Sequence, residues 1–197
     1  IATLGAYEPL HKFHWAHNLL SYEGNNKNKL LIERQISEPF TERRIRTQID
    51  QLTTIQEPIS KIVRDQYEEN PYPRWIKTSV SEEQKSINEI LRDQKIDASK
   101  YLFPKNPDIL IAGCGTGQHV LITASRFKNA RIFALDLSLS SIAYAQRKTD
   151  EIGISNVQYA QADINELSNL NRYFDCIESV GVLHHLKDPI KGWEILT

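Results

Sequence analysis

Three of the eight glycines fall within five residues, Gly113-Cys114-Gly115-Thr116-Gly117, between an apolar run, Asp108 to Ala112, and a stretch of helical periodicity, His119 to Phe127. Glycine lets the main chain turn sharply and lets a ligand approach the backbone with no Cβ in the way. Between a parallel strand and its following helix, such a turn sits at the carboxyl end of the sheet, where the strand order reverses and a crevice opens. Asp136 follows Gly117 by nineteen residues and closes a second apolar run, Arg131 to Leu135. A carboxylate there can accept hydrogen bonds from both hydroxyls of a ribose. Asp163 stands just past a third run, Val157 to Ala160, on the same rim. Either acid alone is also explained as a helix N-cap or a solvated turn. A glycine turn and two acids at consecutive strand ends point together to a ligand that carries a nucleoside.

The spacing narrows the choice of nucleoside. The dinucleotide fingerprint G-x-G-x-x-G would place its third glycine where Gln118 stands. No arginine directly follows Asp136 to receive a 2′-phosphate. The loop therefore suits a ligand with a ribose and no required phosphate cradle. A nicotinamide-dependent oxidoreductase is the first alternative, and a non-catalytic binding module the second.

The elements that must position these residues are alternating. Ser138 to Ile152 is predicted as an amphipathic helix closed by Gly153, and Phe174 to Val180 as a fourth strand. Asp188-Pro189 reads as an N-cap with proline at the first helical position, opening a helix over Ile190 to Leu196. Strands alternating with helices mean βαβ units and a parallel sheet. The first half reads differently, with helical periodicity and only Gly5 and Gly24. Helices are predicted over Pro9 to Leu20, over Leu30 to Ile49 with an interruption near Pro39, and from Pro58 to Glu69. Asn70-Pro71-Tyr72-Pro73 must end the last of these, because residues before proline are pushed out of the α region. Ser81-Glu82-Glu83-Gln84 is a capping-box pattern ahead of Ile87, Ile90 and Leu91.

Composition excludes several classes. Twenty-four basic against twenty-five acidic residues give a net charge of -1, which argues against a general binder of DNA or anionic membranes. No apolar run approaches the roughly 18 residues of a membrane span. Cys114 and Cys176 are too few for a disulfide framework, which fits a reducing cytoplasm. The chain has no methionine, begins at Ile1 and stops inside a helical pattern, so both ends are expected to continue. A sheet cut after its fourth strand leaves an unpaired edge, and such a fragment is expected to be poorly soluble or inactive by itself.

The segment Ile109 to Gly117 resembles the first motif of class I S-adenosylmethionine-dependent methyltransferases. Later motifs follow in order: Ala134-Leu135-Asp136-Leu137-Ser138, then Tyr159-Ala160-Gln161-Ala162-Asp163-Ile164, then Phe174 through Leu186. Gln66 to Trp75 resembles the segment ahead of this domain in bacterial methyltransferases often found alongside tetratricopeptide repeats, although no repeat occurs in these residues. The resemblance implies a doubly wound Rossmann-like α/β sheet of strand order 3-2-1-4, truncated after strand 4. Residues 1–100 would be an α-helical N-terminal region with a candidate lid, and 101–197 the cofactor-binding domain.

It also implies roles. Gly113, Cys114, Gly115 and Gly117 would contact the methionine part of S-adenosylmethionine. Asp136, with Leu137 beside it, would hold the ribose diol. Asp163 would accept from the adenine amino group, with Ile164 against the ring, and Ser179 and Val180 would floor the site near the sulfonium. The expected function is methyl transfer to an unidentified small-molecule or protein acceptor, with no metal.

No general base stands out. His184 and His185 lie just beyond the fourth strand with the right titration range, but a histidine pair in a turn is commonly structural. His11, His14 and His17 are spread too widely round a helix for one metal ion. Asn70-Pro71-Tyr72-Pro73 superficially resembles a motif of amino-group DNA methyltransferases, yet it follows a charged helical run rather than a strand. Tyr67, Tyr72 and Trp75 either pack on the domain as a rigid proline turn or cover the cofactor and exclude water.

Overall fold

The computed structural model describes residues 1–197. The chain divides into two compact units, Ile1–Gln48 and Ile49–Thr197.

The first unit is helical. It holds α1 (Ala2–Gly5), two 3-10 turns at Leu10–Lys12 and Ala16–Ser21, α2 (Asn26–Ile32) and α3 (Glu38–Arg46). The helix expected over Pro9 to Leu20 is thus two short turns. The Gln35 side chain holds the first of them, accepting from the Leu10 N–H at 3.2 Å and donating to the Gly5 carbonyl at 2.8 Å. Between α2 and α3 the helix widens to a π segment, Glu33–Ser37, immediately ahead of Pro39. Pro39 has no N–H to give the carbonyl four residues back, so the regular ladder is interrupted where the proline predicts. Leu10, Ala16, Ile32 and Ile36 are buried as a small core of this unit.

The second unit is built on a five-stranded parallel sheet. Its elements are β1 (Asp50–Gln51), α4 (Pro58–Glu69), α5 (Ile87–Asp93), β2 (Asp108–Ala112) and α6 (Gln118–Arg126). They continue as β3 (Arg131–Asp136), α7 (Leu139–Ile152), β4 (Val157–Gln161), β5 (Cys176–Glu178) and α8 (Pro189–Leu196). The spatial order is β1-β4-β3-β2-β5. The four predicted strands take the expected 3-2-1-4 arrangement as β4-β3-β2-β5, and the correction is an added edge strand. Asp50 and Gln51 pair with Ala160 and Gln161 of β4. Two exposed polar residues carry no alternation, so nothing in their pattern announces a strand.

β2 and β3 are apolar on both faces because helices cover both. Side chains alternate along β2. Ile109 and Ile111 join a core with Ile87, Val120, Ile142 and Tyr159, whereas Leu110 and Ala112 join Phe133, Leu135, Ala160 and Leu196 on the other face. Ser138 caps α7, accepting from the Ser141 N–H at 3.0 Å, and Gly153 closes it at φ 80°. Two expected boundaries shift. The capping box forms at Ser86 and Glu89, not at Ser81 to Gln84, because Ser81 and Lys85 are engaged with the end of α6 through the Ser125 hydroxyl and the Arg126 carbonyl. β5 is three residues rather than seven, since it pairs only with Ile109 to Ile111 and the chain then departs at Ser179, whose hydroxyl donates to the Ala112 carbonyl at 3.1 Å.

Candidate cofactor site

The carboxyl ends of β2, β3, β4 and β5 open on one side of the sheet into a cavity of about 370 Å³. Its floor includes Gly113 to Thr116, Leu135 to Leu137, and Ala162 to Ile164. Val180 to Val182, His185 and Leu186 line it beyond β5. Of the residues proposed from sequence, Gly113, Cys114, Gly115, Asp136, Leu137, Asp163, Ile164 and Val180 meet here. Gly117 and Ser179 do not line the cavity. Gly117 starts α6 at φ 81°, and a Cβ there would come within 2.6 Å of the Ala145 Cβ, so its glycine serves close packing against α7. Gly115, at φ 51°, has nothing within 4 Å of that position and leaves the backbone open to a ligand.

Asp136 is tied to the loop it faces. Its Oδ2 accepts from the Gly115 N–H at 2.7 Å and its Oδ1 from the Ser138 N–H at 2.9 Å. Desolvation pushes the carboxyl above the usual aspartate range, against the pull of those backbone donors. Each oxygen keeps a further lone pair for a hydroxyl donor. Desolvation also drives the Cys114 thiol up, which makes it an apolar wall and not a nucleophile.

Asp163 supplies the sharper test of fit. It is 1% exposed, and its Oδ1 accepts from the backbone and side-chain nitrogens of Asn165, each at 3.0 Å. Its Oδ2 is buried without a hydrogen-bond partner, as is the Ser141 hydroxyl. Both residues line the cavity. A buried, unpaired carboxylate oxygen costs about 1–3 kcal/mol or more, so it calls for a donor that arrives from outside the chain. A ligand amino group beside Asp163 would supply the donor its Oδ2 lacks, while both Asp136 oxygens already accept from the backbone.

The cover is stitched down from the N-terminal side of this unit. The Glu68 carboxylate accepts from the N–H groups of Leu139 and Ser140 at 2.7 and 3.2 Å and from the Ser140 hydroxyl at 2.5 Å, so α4 caps α7. That capping holds Ser60, Val63 and Tyr67 of α4 along the cavity. The Trp75 indole N–H donates to the Thr116 carbonyl at 3.0 Å, and the Thr116 hydroxyl donates to the Pro73 carbonyl at 2.6 Å. Trp75 is buried with Leu121 and Tyr144, while Tyr72 is 74% exposed and borders the cavity with Tyr67. Trp75 is therefore the packing anchor of the turn, and the aromatics that line the cavity are Tyr72 of the turn and Tyr67 of α4.

Sequence reasoning missed Glu68 and the pair His119 and Glu178. The His119 Nε2 lies 3.0 Å from Glu178 Oε2, which also accepts from the Thr123 hydroxyl at 2.6 Å. Desolvation raises the Glu178 carboxyl, but the bonds from His119 and Thr123 outweigh it and leave the group below its usual range. A glutamate in a strand that ends among apolar residues was the available signal. His185 lines the cavity and lies against His184, ring centroids 4.1 Å apart.

Residues 109–193 match the family described as methyltransferase domain. This segment, less than half of the chain, is thus similar to methyltransferase domains. The chain is similar to an uncharacterized protein of Synechococcus sp., 39% identical over 87 residues that cover 44% of this chain and 21% of that one. It is also similar to malonyl-(acyl-carrier protein) O-methyltransferase of Acetivibrio thermocellus, 33% identical over 106 residues, 54% of this chain and 34% of that enzyme. The chain thus spans about a fifth to a third of the length of these curated relatives. Among solved structures, the (4+2)-cyclase SpnF shares the fold with a TM-score of 0.50 at 22% identity, covering 73% of this chain and 57% of that one. A fold of this shape is a scaffold, so the reaction has to be argued from the site. No helix is long and apolar enough to cross a membrane.

Proposed function

We propose that the chain holds S-adenosylmethionine along this rim and transfers its methyl group to a small organic acceptor seated against Val180 to Val182, His185 and Leu186. The carrying observation is the unpartnered Oδ2 of Asp163, buried at one end of a rim that also presents Asp136 and the open backbone at Gly115. In this reading Asp163 accepts from the adenine amino group, Ile164 lies against the ring, and Asp136 receives the ribose hydroxyls. Gly113 to Gly115 carry the start of the methionine tail.

When bound, the cofactor supplies an electrophilic methyl on a sulfonium. The chain's own work is then positioning and exclusion of water. Alignment of two reactants within one site is worth several kcal/mol, up to about 7–11 for a well-oriented pair. Tyr67 and Tyr72 line the cavity, where aromatic rings exclude water and attract a cation. His185 is the ionisable group on the acceptor side that a hydroxyl acceptor would use as base. The protein is expected to act in the cytoplasm on a diffusible substrate, without DNA.

The experiment is calorimetric titration with S-adenosylhomocysteine, followed by labelled methyl transfer to a panel of small amines, alcohols, thiols and carboxylic acids. Saturable one-to-one binding and turnover of one acceptor class are expected. Failure to bind the cofactor product would overturn the reading, and binding without turnover of any class would reduce the chain to a binding module.

A further inference from the structure

The strand order sets a sequence of groups along the rim. Asp163 stands at the end of β4, Asp136 at the end of β3, the glycine loop at the end of β2, and Glu178 at the end of β5. Read along β4-β3-β2-β5, a ligand whose base meets Asp163 and whose ribose meets Asp136 must direct its third part over the loop toward β5. The side chain awaiting it there is His119, on the first turn of α6 and on the cavity wall. Its side chain is 39% exposed, and the Glu178 side chain behind it is 21% exposed.

Glu178 settles which nitrogen is available. An ionised carboxylate only accepts, so the 3.0 Å contact requires a proton on Nε2. In the neutral form of the ring the lone pair stands on Nδ1, the one nitrogen not already engaged by Glu178. Glu178 is itself anchored by the Thr123 hydroxyl and by the pairing of β5 with β2, opposite Ile111. Tautomer and ring direction are thereby set from behind, as a carboxylate partner sets those of a histidine ligand. The pair presents an acceptor backed by negative charge, which complements an ammonium group.

We propose that His119, oriented by Glu178, receives the α-ammonium of the cofactor's amino-acid tail on Nδ1. His119 is in this view a binding residue and Glu178 a positioning residue. The assignment rests on the adenosine placement proposed above, and the test separates the two. S-adenosylhomocysteine, its decarboxylated analogue, and 5′-methylthioadenosine, which lacks the tail altogether, are titrated into wild type and two variants. His119→Asn keeps an acceptor near the Nδ1 position, whereas His119→Gln keeps a donor near Nε2 for Glu178.

Loss of a hydrogen bond to a charged group predicts about 10-fold weaker binding of S-adenosylhomocysteine by His119→Gln, with 5′-methylthioadenosine unchanged within about 2-fold. His119→Asn is expected to retain most of the affinity. The loss in His119→Gln should persist with the decarboxylated analogue, since that molecule keeps its ammonium. Rescue by Gln rather than Asn, equal weakening of 5′-methylthioadenosine, or a loss that vanishes with the decarboxylated analogue would each overturn the assignment. If wild type binds none of the three ligands, the adenosine placement itself falls.

Discussion

Replacing Asp163 with asparagine separates what the fold needs from what a bound adenine needs. In the chain as it stands, Oδ1 accepts from two nitrogens of Asn165 and Oδ2 has no partner. Asparagine can keep the Oδ1 bonds and puts an NH₂ group where the orphan oxygen was. Without ligand, one buried unsatisfied atom replaces another and a buried charge disappears, so stability should stay level or rise by up to about 1 kcal/mol. With ligand the sign reverses, because the amide now opposes the adenine amino group, donor to donor. A charged hydrogen bond is worth about 1.5–3 kcal/mol, and a loss of about 2 kcal/mol converts to roughly a 30-fold loss in affinity. At a ligand concentration of about 100 times the wild-type Kd, binding stabilises the native state by about 2.7 kcal/mol, and by about 0.9 kcal/mol after a 30-fold loss. Thermal melts with and without S-adenosylhomocysteine read both quantities in one series. The S-inosyl analogue, whose C6 carbonyl oxygen accepts where adenine has its amino group, should regain affinity in the variant. An asparagine variant that melts well below wild type without ligand, or that binds the adenosyl form as tightly as wild type does, would refute the reasoning.

Other expectations follow from the same contacts. Trp75→Ala removes a buried side chain and its bond to the Thr116 carbonyl, and should cost about 3–5 kcal/mol in denaturant unfolding. Tyr72→Ala, at an exposed position, should leave stability within about 0.5 kcal/mol while weakening S-adenosylhomocysteine several-fold; equal affinity would remove Tyr72 from the cover. Glu68→Ala removes two acceptors from the first turn of α7, which Ser138 still caps, and should destabilise by about 0.5–2 kcal/mol, with faster hydrogen exchange at the Leu139 and Ser140 amides. The pH dependence of binding has a defined sign. The Asp136 carboxyl is raised in the fold, so its ionisation costs the empty protein stability as pH rises through that range. Ribose hydroxyls bond to the ionised form, so affinity should fall as pH drops through a value above the ordinary aspartate range, and Asp136→Asn should flatten that profile.

Much of the site was legible in residue type and spacing. Gly113 to Thr116 followed by Asp136 and Asp163 announced a shared rim of open backbone and carboxylates, because both are local properties that strand ends repeat. The apolar strands β2 and β3 and the capped helix α7 were legible for the same reason: each carries its pattern within one element. Pro58 and the Asn70 to Pro73 run bounded α4 correctly, since proline acts on its own backbone.

What the sequence by itself determined, then, was a row of strand ends bearing a bare loop and two carboxylates. Only the tertiary structure decided which atoms are spare. That Asp163 keeps an oxygen unpaired, that Gly117 packs against Ala145 instead of facing the cavity, and that Glu68 reaches α7 are facts about neighbours distant along the chain. The same holds for Asp50 and Gln51, recruited to the sheet by the open edge of β4, and for His119, whose ring is set by a glutamate 59 residues away. A hydrogen bond is satisfied or left open by whatever the folded chain brings within about 3 Å, and no local pattern encodes that distance.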